Sequence, residues 1–242
     1  MTDALTVRNL SYRYSPDASQ VLRDVSFSLS AGEMLGVVGP SGCGKSTLCL
    51  CLSGIIPHQQ GGDMSGEVLL FGKDTREITL PAIATQVGIV FQDPESQLFL
   101  PVIRNELAFG PENLCREPAD IARVIETVAA RTGISALLPN NPNQVSGGQQ
   151  QIVALAAVLA MEPKILILDE VTSQLDAAGA ERIQAIIADV RRRGTAVVMV
   201  EHNLEQLRQA DRVIAISSGS IEVAASYNEV LSALERYYRP RQ

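Results

Sequence analysis

The sequence predicts an α/β fold built around a parallel sheet, with a helical insertion in its middle. Short apolar runs of the kind that fill strands buried on both faces occur at Met34 to Val38, Ile165 to Leu168 and Ala196 to Val200. Helical segments alternate with them, as in a sheet whose parallel strands are joined by crossover helices. From Asp93 to Met161 strand signals give way to helical periodicity, and strands resume only after it.

Taken in order, Leu5 to Tyr14 and Val21 to Leu29 read as strands, the second by its alternating Val25, Phe27 and Leu29, and Ala31-Gly32 makes the turn that follows. Met34 to Val38 is the first fully buried strand. It runs into a glycine-rich loop, after which Lys45 to Ser53 is helical. Glu67 to Phe71 and Val87 to Phe91 are further strands. Helices are expected over Val102 to Phe109, over Ala119 to Arg131 with Gly133 as the stop, and from about Gly148 to Met161. Ala177 to Arg193 is a long amphipathic helix between two buried strands. Arg212 to Ser217 and Ile221 to Ala224 flank Ser218-Gly219-Ser220 as a hairpin. No repeat, low-complexity tract or Pro/Gly/Ser linker divides the chain, so one globular unit is expected.

Composition narrows the function. With 46% hydrophobic residues the chain has material for a large core. Its 20 Lys and Arg against 27 Asp and Glu leave a net charge of −7, which repels a phosphate backbone. Aromatics are only 4% and Trp is absent, so a base-stacking surface is not expected either, and no nucleic acid is assigned as a partner. The longest apolar run, Ile152 to Met161, falls far short of the roughly 20 residues a membrane-spanning helix needs. The N-terminus Met1-Thr2-Asp3-Ala4 has no apolar leader, and the expectation is a chain that stays in the cytoplasm. Cys43, Cys49, Cys51 and Cys115 show no paired spacing and read as reduced.

The chemistry begins at Gly39-Pro40-Ser41-Gly42-Cys43-Gly44-Lys45-Ser46-Thr47, a G-x-x-x-x-G-K-S loop between a buried strand and a helix. The glycines let successive backbone N–H groups turn toward phosphates, and the helix adds the positive end of its dipole. Lys45 would reach the β- and γ-phosphates of a nucleotide and the Ser46 hydroxyl would ligate Mg²⁺. A magnesium nucleotide also needs a carboxylate beside the phosphates. Asp169, at the carboxyl end of the Ile165 to Leu168 strand, supplies it, and Glu170 is placed to orient or deprotonate an attacking water. A third segment, Val145-Ser146-Gly147-Gly148-Gln149, opens an apolar helix with Ser146 as a cap. It reads either as an ordinary capped helix or as a second anion site, which one chain could offer to the phosphate loop of another across a dimer.

These motifs, in this order and over nearly the whole chain, resemble the ATP-binding subunits of ABC transporters. The resemblance implies a P-loop NTPase fold of the ABC nucleotide-binding type, with N-terminal antiparallel strands and an inserted helical subdomain. It implies a single domain over residues 1–242, with the insertion at about 93–161 and a short C-terminal helix and tail at 226–242. Residues 145–149 resemble the signature segment, with Val145 where Leu is usual and Ile152 where Arg is frequent. Gln92 resembles the glutamine that touches Mg²⁺ or water and senses the membrane partner. Ser173-Gln174-Leu175-Asp176 resembles the loop that links the two sites of a dimer through Asp176, with Gln174 replacing Ala and Val171 replacing Pro. His202 resembles the histidine that contacts the γ-phosphate. Tyr14, preferred over Tyr12, resembles the aromatic that stacks on adenine. Lone His58, in a polar loop, is read as solvated.

Two further stretches, Gly54-Ile55-Ile56-Pro57-His58 and Phe91-Gln92-Asp93-Pro94-Glu95-Ser96-Gln97-Leu98-Phe99 running on to Pro111, resemble the ATPases of energy-coupling-factor (ECF) importers. That resemblance implies ATP and Mg²⁺ as cofactors and a second ATPase subunit as a dimer partner. It also implies a transmembrane scaffold subunit and a small substrate-capturing membrane subunit, with a vitamin or transition-metal ion as cargo. The chain is then a peripheral protein on the cytoplasmic face of the membrane. Gln97-Leu98-Phe99 lies where the membrane partner would dock, unless Leu98 and its neighbours are core. An ATPase of another importer or an exporter carries the same core motifs. A soluble ABC protein remains a third reading, but this chain has one phosphate loop, and eight prolines between Gly44 and Ser146 break any long coiled coil.

Overall fold

The computed structural model describes residues 3–231. In chain order its strands are β1 (Leu5–Arg13), β2 (Leu22–Leu29), β3 (Met34–Val38), β4 (Asp63–Leu70), β5 (Lys73–Asp74), β6 (Val87–Val90), β7 (Ile165–Asp169), β8 (Ala196–Glu201), β9 (Arg212–Ser217) and β10 (Ser220–Ala225). The α-helices are α1 (Lys45–Leu52), α2 (Ile55–His58), α3 (Leu80–Ala84), α4 (Ile103–Asn113), α5 (Pro118–Thr132), α6 (Gly147–Leu159) and α7 (Ala177–Arg192). The expected C-terminal helix begins at residue 227, and residues 232–242 of that expectation lie outside the described residues.

Two sheets result. The first is antiparallel in the order β2-β1-β4-β5. The second runs β10-β9-β3-β8-β7-β6, parallel from β9 to β6, with β10 returning antiparallel as the hairpin partner of β9. The continuous apolar runs of the central strands follow from burial on both faces. Ile165, Ile167, Val198 and Val200 point to one side, where they meet Leu48 and Leu52 of α1 and Leu5, Leu10 and Val25 of the antiparallel sheet. Leu166, Leu168, Val197 and Met199 point to the other, against Leu107 of α4, Val128 of α5, Leu155 of α6 and Ile183 of α7. The segment between β6 and β7 contains α4, α5 and α6 and no strand, and these helices share one apolar cluster with the sheet.

Several boundaries differ from expectation. β4 starts at Asp63 rather than Glu67, because Asp63, Met64 and Ser65 pair with Arg13, Tyr12 and Ser11 of β1 while showing no apolar alternation of their own. α4 does not stop at Phe109 but runs past Pro111. Pro111 is buried with Leu107 and Ala108, so packing outweighs the lost backbone hydrogen bond there. α2 and α3 span four and five residues, too short for a helical period to show. Among the described residues no helix is long and apolar enough to cross a membrane.

Candidate functional site

β3, β8, β7 and β6 are neighbours in one parallel array, so their carboxyl ends share one edge of the sheet, the place where α/β sheets gather ligands. The segments leaving that edge are the loop from Gly39, the pair Glu201 and His202, the pair Asp169 and Glu170, and Phe91-Gln92. Adjacency of strands therefore assembles residues drawn from more than 160 positions of sequence.

The phosphate loop joins β3 to α1. Gly39 permits a close approach: a Cβ there would lie 2.3 Å from the Ile216 carbonyl oxygen and 2.8 Å from Cys43 Sγ. Gly44 has φ +107° and caps α1 without a side chain, so the first-turn N–H groups are left to whatever the loop binds. Pro40, Ser41 and Gly42 are exposed along its rim. Cys43 is buried, and burial pushes its thiol up despite nearby Lys45, so it is a poor thiolate. Lys45 Nζ donates to the carbonyls of Gly39 at 2.9 Å and Pro40 at 3.2 Å and lies 3.3 Å from Glu170 Oε1. Thr47 shares a 2.8 Å hydrogen bond with the Tyr14 hydroxyl. Tyr12 is fully buried and bonded to the Gly61 carbonyl, whereas Tyr14, packed edge-on against it, is 43% exposed.

At the end of β7, burial pushes the Asp169 carboxyl up, an effect opposed by a hydrogen bond from the Ser46 side chain. Its buried Oδ1 has no hydrogen-bond partner. One buried carboxylate with a spare oxygen beside a hydroxyl is a hard-oxygen donor set, which suits Mg²⁺ because that ion keeps waters and takes phosphate oxygens for its other positions. No cluster of three or more His, Cys, Asp or Glu poised for a metal occurs among the described residues. Glu170 has φ +52°, unusual for a residue with a side chain, and donates its N–H to the Val200 carbonyl at 2.9 Å. Its carboxylate lies between Lys45 and His202, whose Nδ1 is 3.7 Å from Glu170 Oε2.

β6 is the edge strand of its sheet, and two glutamine side chains take the place of a missing partner. Gln97 accepts from the Phe91 N–H and donates to the Ile89 carbonyl, and Gln151 of α6 donates to the Phe91 carbonyl. Gln92 follows, reaching Ser173 Oγ at 3.5 Å, while Ser173 Oγ donates to the Glu170 carbonyl at 2.8 Å. Sequence reasoning missed Glu201 and Thr172. Glu201 closes β8 fully buried, accepts from both the N–H and the hydroxyl of Thr172, and is pushed up to about 7, chiefly by burial. The available signal was an acid ending the apolar run of β8.

Ser146 caps α6 in a capping box: its hydroxyl accepts from the Gln149 N–H, and the Gln149 side chain accepts from the Ser146 N–H. Gly147 faces open space, and Gly148 lies against Leu175. Among the described residues no hydrogen bond or ion pair joins 146–149 to the phosphate loop. Asp176 caps α7, its Oδ1 accepting from the Gly179 N–H at 2.8 Å. His58, read as solvated, is exposed, and its ring Nε2 also hydrogen-bonds with the Thr75 carbonyl at 2.8 Å. Leu98 is core, but Phe99 is 64% exposed and meets Phe109 edge-on at 4.9 Å. Buried Glu106 accepts from the backbone N–H groups of Phe99 and Leu100, holding that loop.

Comparison with known proteins agrees with the fold. Residues 22–173 match the ABC transporter family. The energy-coupling factor transporter ATP-binding protein EcfA of Methanosarcina acetivorans is 40% identical over 235 residues, covering 97% of this chain and 84% of EcfA. The solved structure of cbiO1 from Clostridium perfringens, described as part of the ABC transporter complex cbiONQ, superposes with a TM-score of 0.85 at 30% identity, covering 98% of this chain and 93% of cbiO1. The chain belongs to the ABC transporter family, as one of its ATP-binding ATPase subunits.

Proposed function

We propose that the chain is the ATP-hydrolysing subunit of an ECF-type importer for a vitamin or transition-metal ion, mounted on the cytoplasmic face of the membrane. It acts as a dimer with a second ATPase subunit, identical or related, beneath a transmembrane scaffold subunit and a substrate-capturing membrane subunit. The observation that carries this reading is the split of the site. Lys45, Asp169, Glu170, His202 and Gln92 leave one sheet edge, while the capped end of α6 makes no bond to the phosphate loop of its own chain. The likeness to EcfA and to cbiO1 supports the ECF assignment.

In this reading the first-turn N–H groups of α1 and the loop amides of residues 39–44 bind the phosphates, with Thr47 beside them and Tyr14 against adenine. Lys45 leaves the carbonyls of Gly39 and Pro40 for the β- and γ-phosphate oxygens, which also releases Glu170 from its ion pair. Ser46, Asp169 and Gln92 would hold Mg²⁺, which would supply positive charge to offset that of the phosphates. Ser146, Gly147, Gly148 and Gln149 of the second subunit close over the γ-phosphate, and Asp176 links the two sites. Glu170 takes the proton of the attacking water, and His202, 56% exposed, holds the γ-phosphate. Positioning and charge stabilisation account for most of the acceleration. Phe99 and Phe109 offer the apolar footing for the membrane scaffold.

Capture of the tagged full-length chain from detergent-solubilised native membranes tests the reading. Two kinds of small polytopic membrane protein, and no extracellular solute-binding protein, are expected. Recovery of a different type of permease, or of ribosomes or DNA, would replace the ECF assignment.

A further inference from the structure

Glu170 is a bulky residue in the left-handed region of backbone space, a conformation that persists only where its surroundings over-determine it. Its own N–H is fixed by the Val200 carbonyl. The chain after it turns back tightly: the Ser173 N–H bonds the Glu170 carbonyl at 3.2 Å, and the Leu175 N–H bonds the Thr172 carbonyl at 3.2 Å. Among the described residues, the side-chain hydrogen bonds that tie Thr172 to the sheet both go to one carboxyl. Glu201 Oε1 accepts from Thr172 N at 3.2 Å and from Thr172 Oγ1 at 2.7 Å. Thr172 is 5% exposed and Glu201 0%, so no water competes for these bonds. The other residues of β8 are all buried and apolar, and an acid among them is costly unless it makes hydrogen bonds of this kind.

Glu201 is also the residue before His202. Its strand β8 lies beside β7, with Val200 opposite Asp169 in the parallel register. The Glu201–Thr172 pair therefore ties the segment that carries His202 to the segment that carries Glu170, at the level where the two side chains face each other.

We propose that Glu201 is a positioning residue for ATP hydrolysis: by gripping Thr172 through both its amide and its hydroxyl, it holds Glu170 in the left-handed turn that keeps its carboxylate at the sheet edge beside His202. This rests on the reading of Glu170 as the group that activates water. In this role Glu201 acts through Thr172 rather than on the nucleotide.

The test is Mg-ATP turnover and ATP affinity for the full chain and for Glu201→Leu, Glu201→Gln, Thr172→Val, Glu201→Leu/Thr172→Val and Glu170→Gln. Leucine keeps the volume and removes both acceptors. Glu201→Leu should lower kcat about tenfold or more while leaving ATP affinity within about threefold, the split expected of a displaced reacting group. Glutamine keeps an acceptor for both Thr172 donors and should recover most of that loss. Thr172→Val, which loses one of the two bonds, should fall between, and the double variant should be no slower than Glu201→Leu, because both changes break one contact. Turnover of folded Glu201→Leu within about twofold of the parent, or a double variant that multiplies the two losses, would overturn the inference. If Glu201→Leu does not fold, parental kcat in Thr172→Val overturns it instead. Normal turnover in Glu170→Gln would remove the underlying reading, a failure distinct from the inference's own.

Discussion

Replacing Glu201 with Gln should change how stability depends on pH, and by a calculable amount. Burial pushes the Glu201 carboxyl up from an ordinary value of 4.5 to about 7, with the Thr172 hydrogen bonds opposing. Below pH 4.5 the folded and unfolded chains both hold the proton, and the group contributes no pH dependence. Between 4.5 and 7 the unfolded chain releases it while the folded chain keeps it, so stability falls as pH rises through this window and levels off above it. A gap of about two and a half units corresponds to a loss of about 3 kcal/mol, and at 0% exposure solvent does not screen it away. Glutamine has no proton to hold. The stability of Glu201→Gln relative to the parent should therefore rise by about 3 kcal/mol between pH 4.5 and pH 7.5, equivalent to roughly 6–12 °C in Tm for a chain of this size. Urea and thermal unfolding of both proteins without nucleotide, at four or five pH values, give this difference directly. Taking the difference cancels the titrating groups that do not interact with Glu201, whereas Asp169 and Glu170, whose charges help to raise it, stay coupled to it. A stability difference constant to within about 1 kcal/mol across the range would mean that Glu201 is not raised by burial.

The glycines of the phosphate loop should separate by cause. Gly39→Ala meets the Ile216 carbonyl and should destabilise by about 1–3 kcal/mol in urea unfolding, whereas Gly42→Ala meets nothing within 4 Å and should cost only about 1–2 kcal/mol from its φ of +76°. Ser146→Ala loses the capping box and about 1 kcal/mol of stability, yet turnover should fall far more than that loss explains, which comparison of unfolding with phosphate release checks. Phe99→Ala should leave stability within about 0.5 kcal/mol because the ring is exposed, while weakening recovery of membrane subunits in the capture experiment.

Much of the fold was legible because of two-sided burial. β3, β7 and β8 show as apolar runs since each strand feeds residues to both clusters, and their order along the chain implies the parallel array. The start of β4 was not legible, because Asp63 to Ser65 are polar and become a strand only through β1. The continuation of α4 past Pro111 was hidden for a similar reason: contacts distant in sequence decide it. At the site, Lys45, Ser46, Asp169, Glu170 and His202 announce themselves by residue type and by position after strands. Glu201 does not, because an acid after Val200 looks like a solvated strand end until the pairing of β7 with β8 brings Thr172 over it. Asp176 shows the converse: its motif suggests a link to a second subunit, and within the chain its carboxylate also caps α7.

The central claim is that Glu170 drives ATP hydrolysis at the sheet edge it shares with Lys45 and His202. The most direct test is phosphate release by the complex captured on the tagged full-length chain, parent and Glu170→Gln side by side, with bound ATP measured in the same samples. The variant is expected to retain ATP and to release phosphate at least about a hundredfold more slowly. Equal rates from the two complexes would contradict the claim.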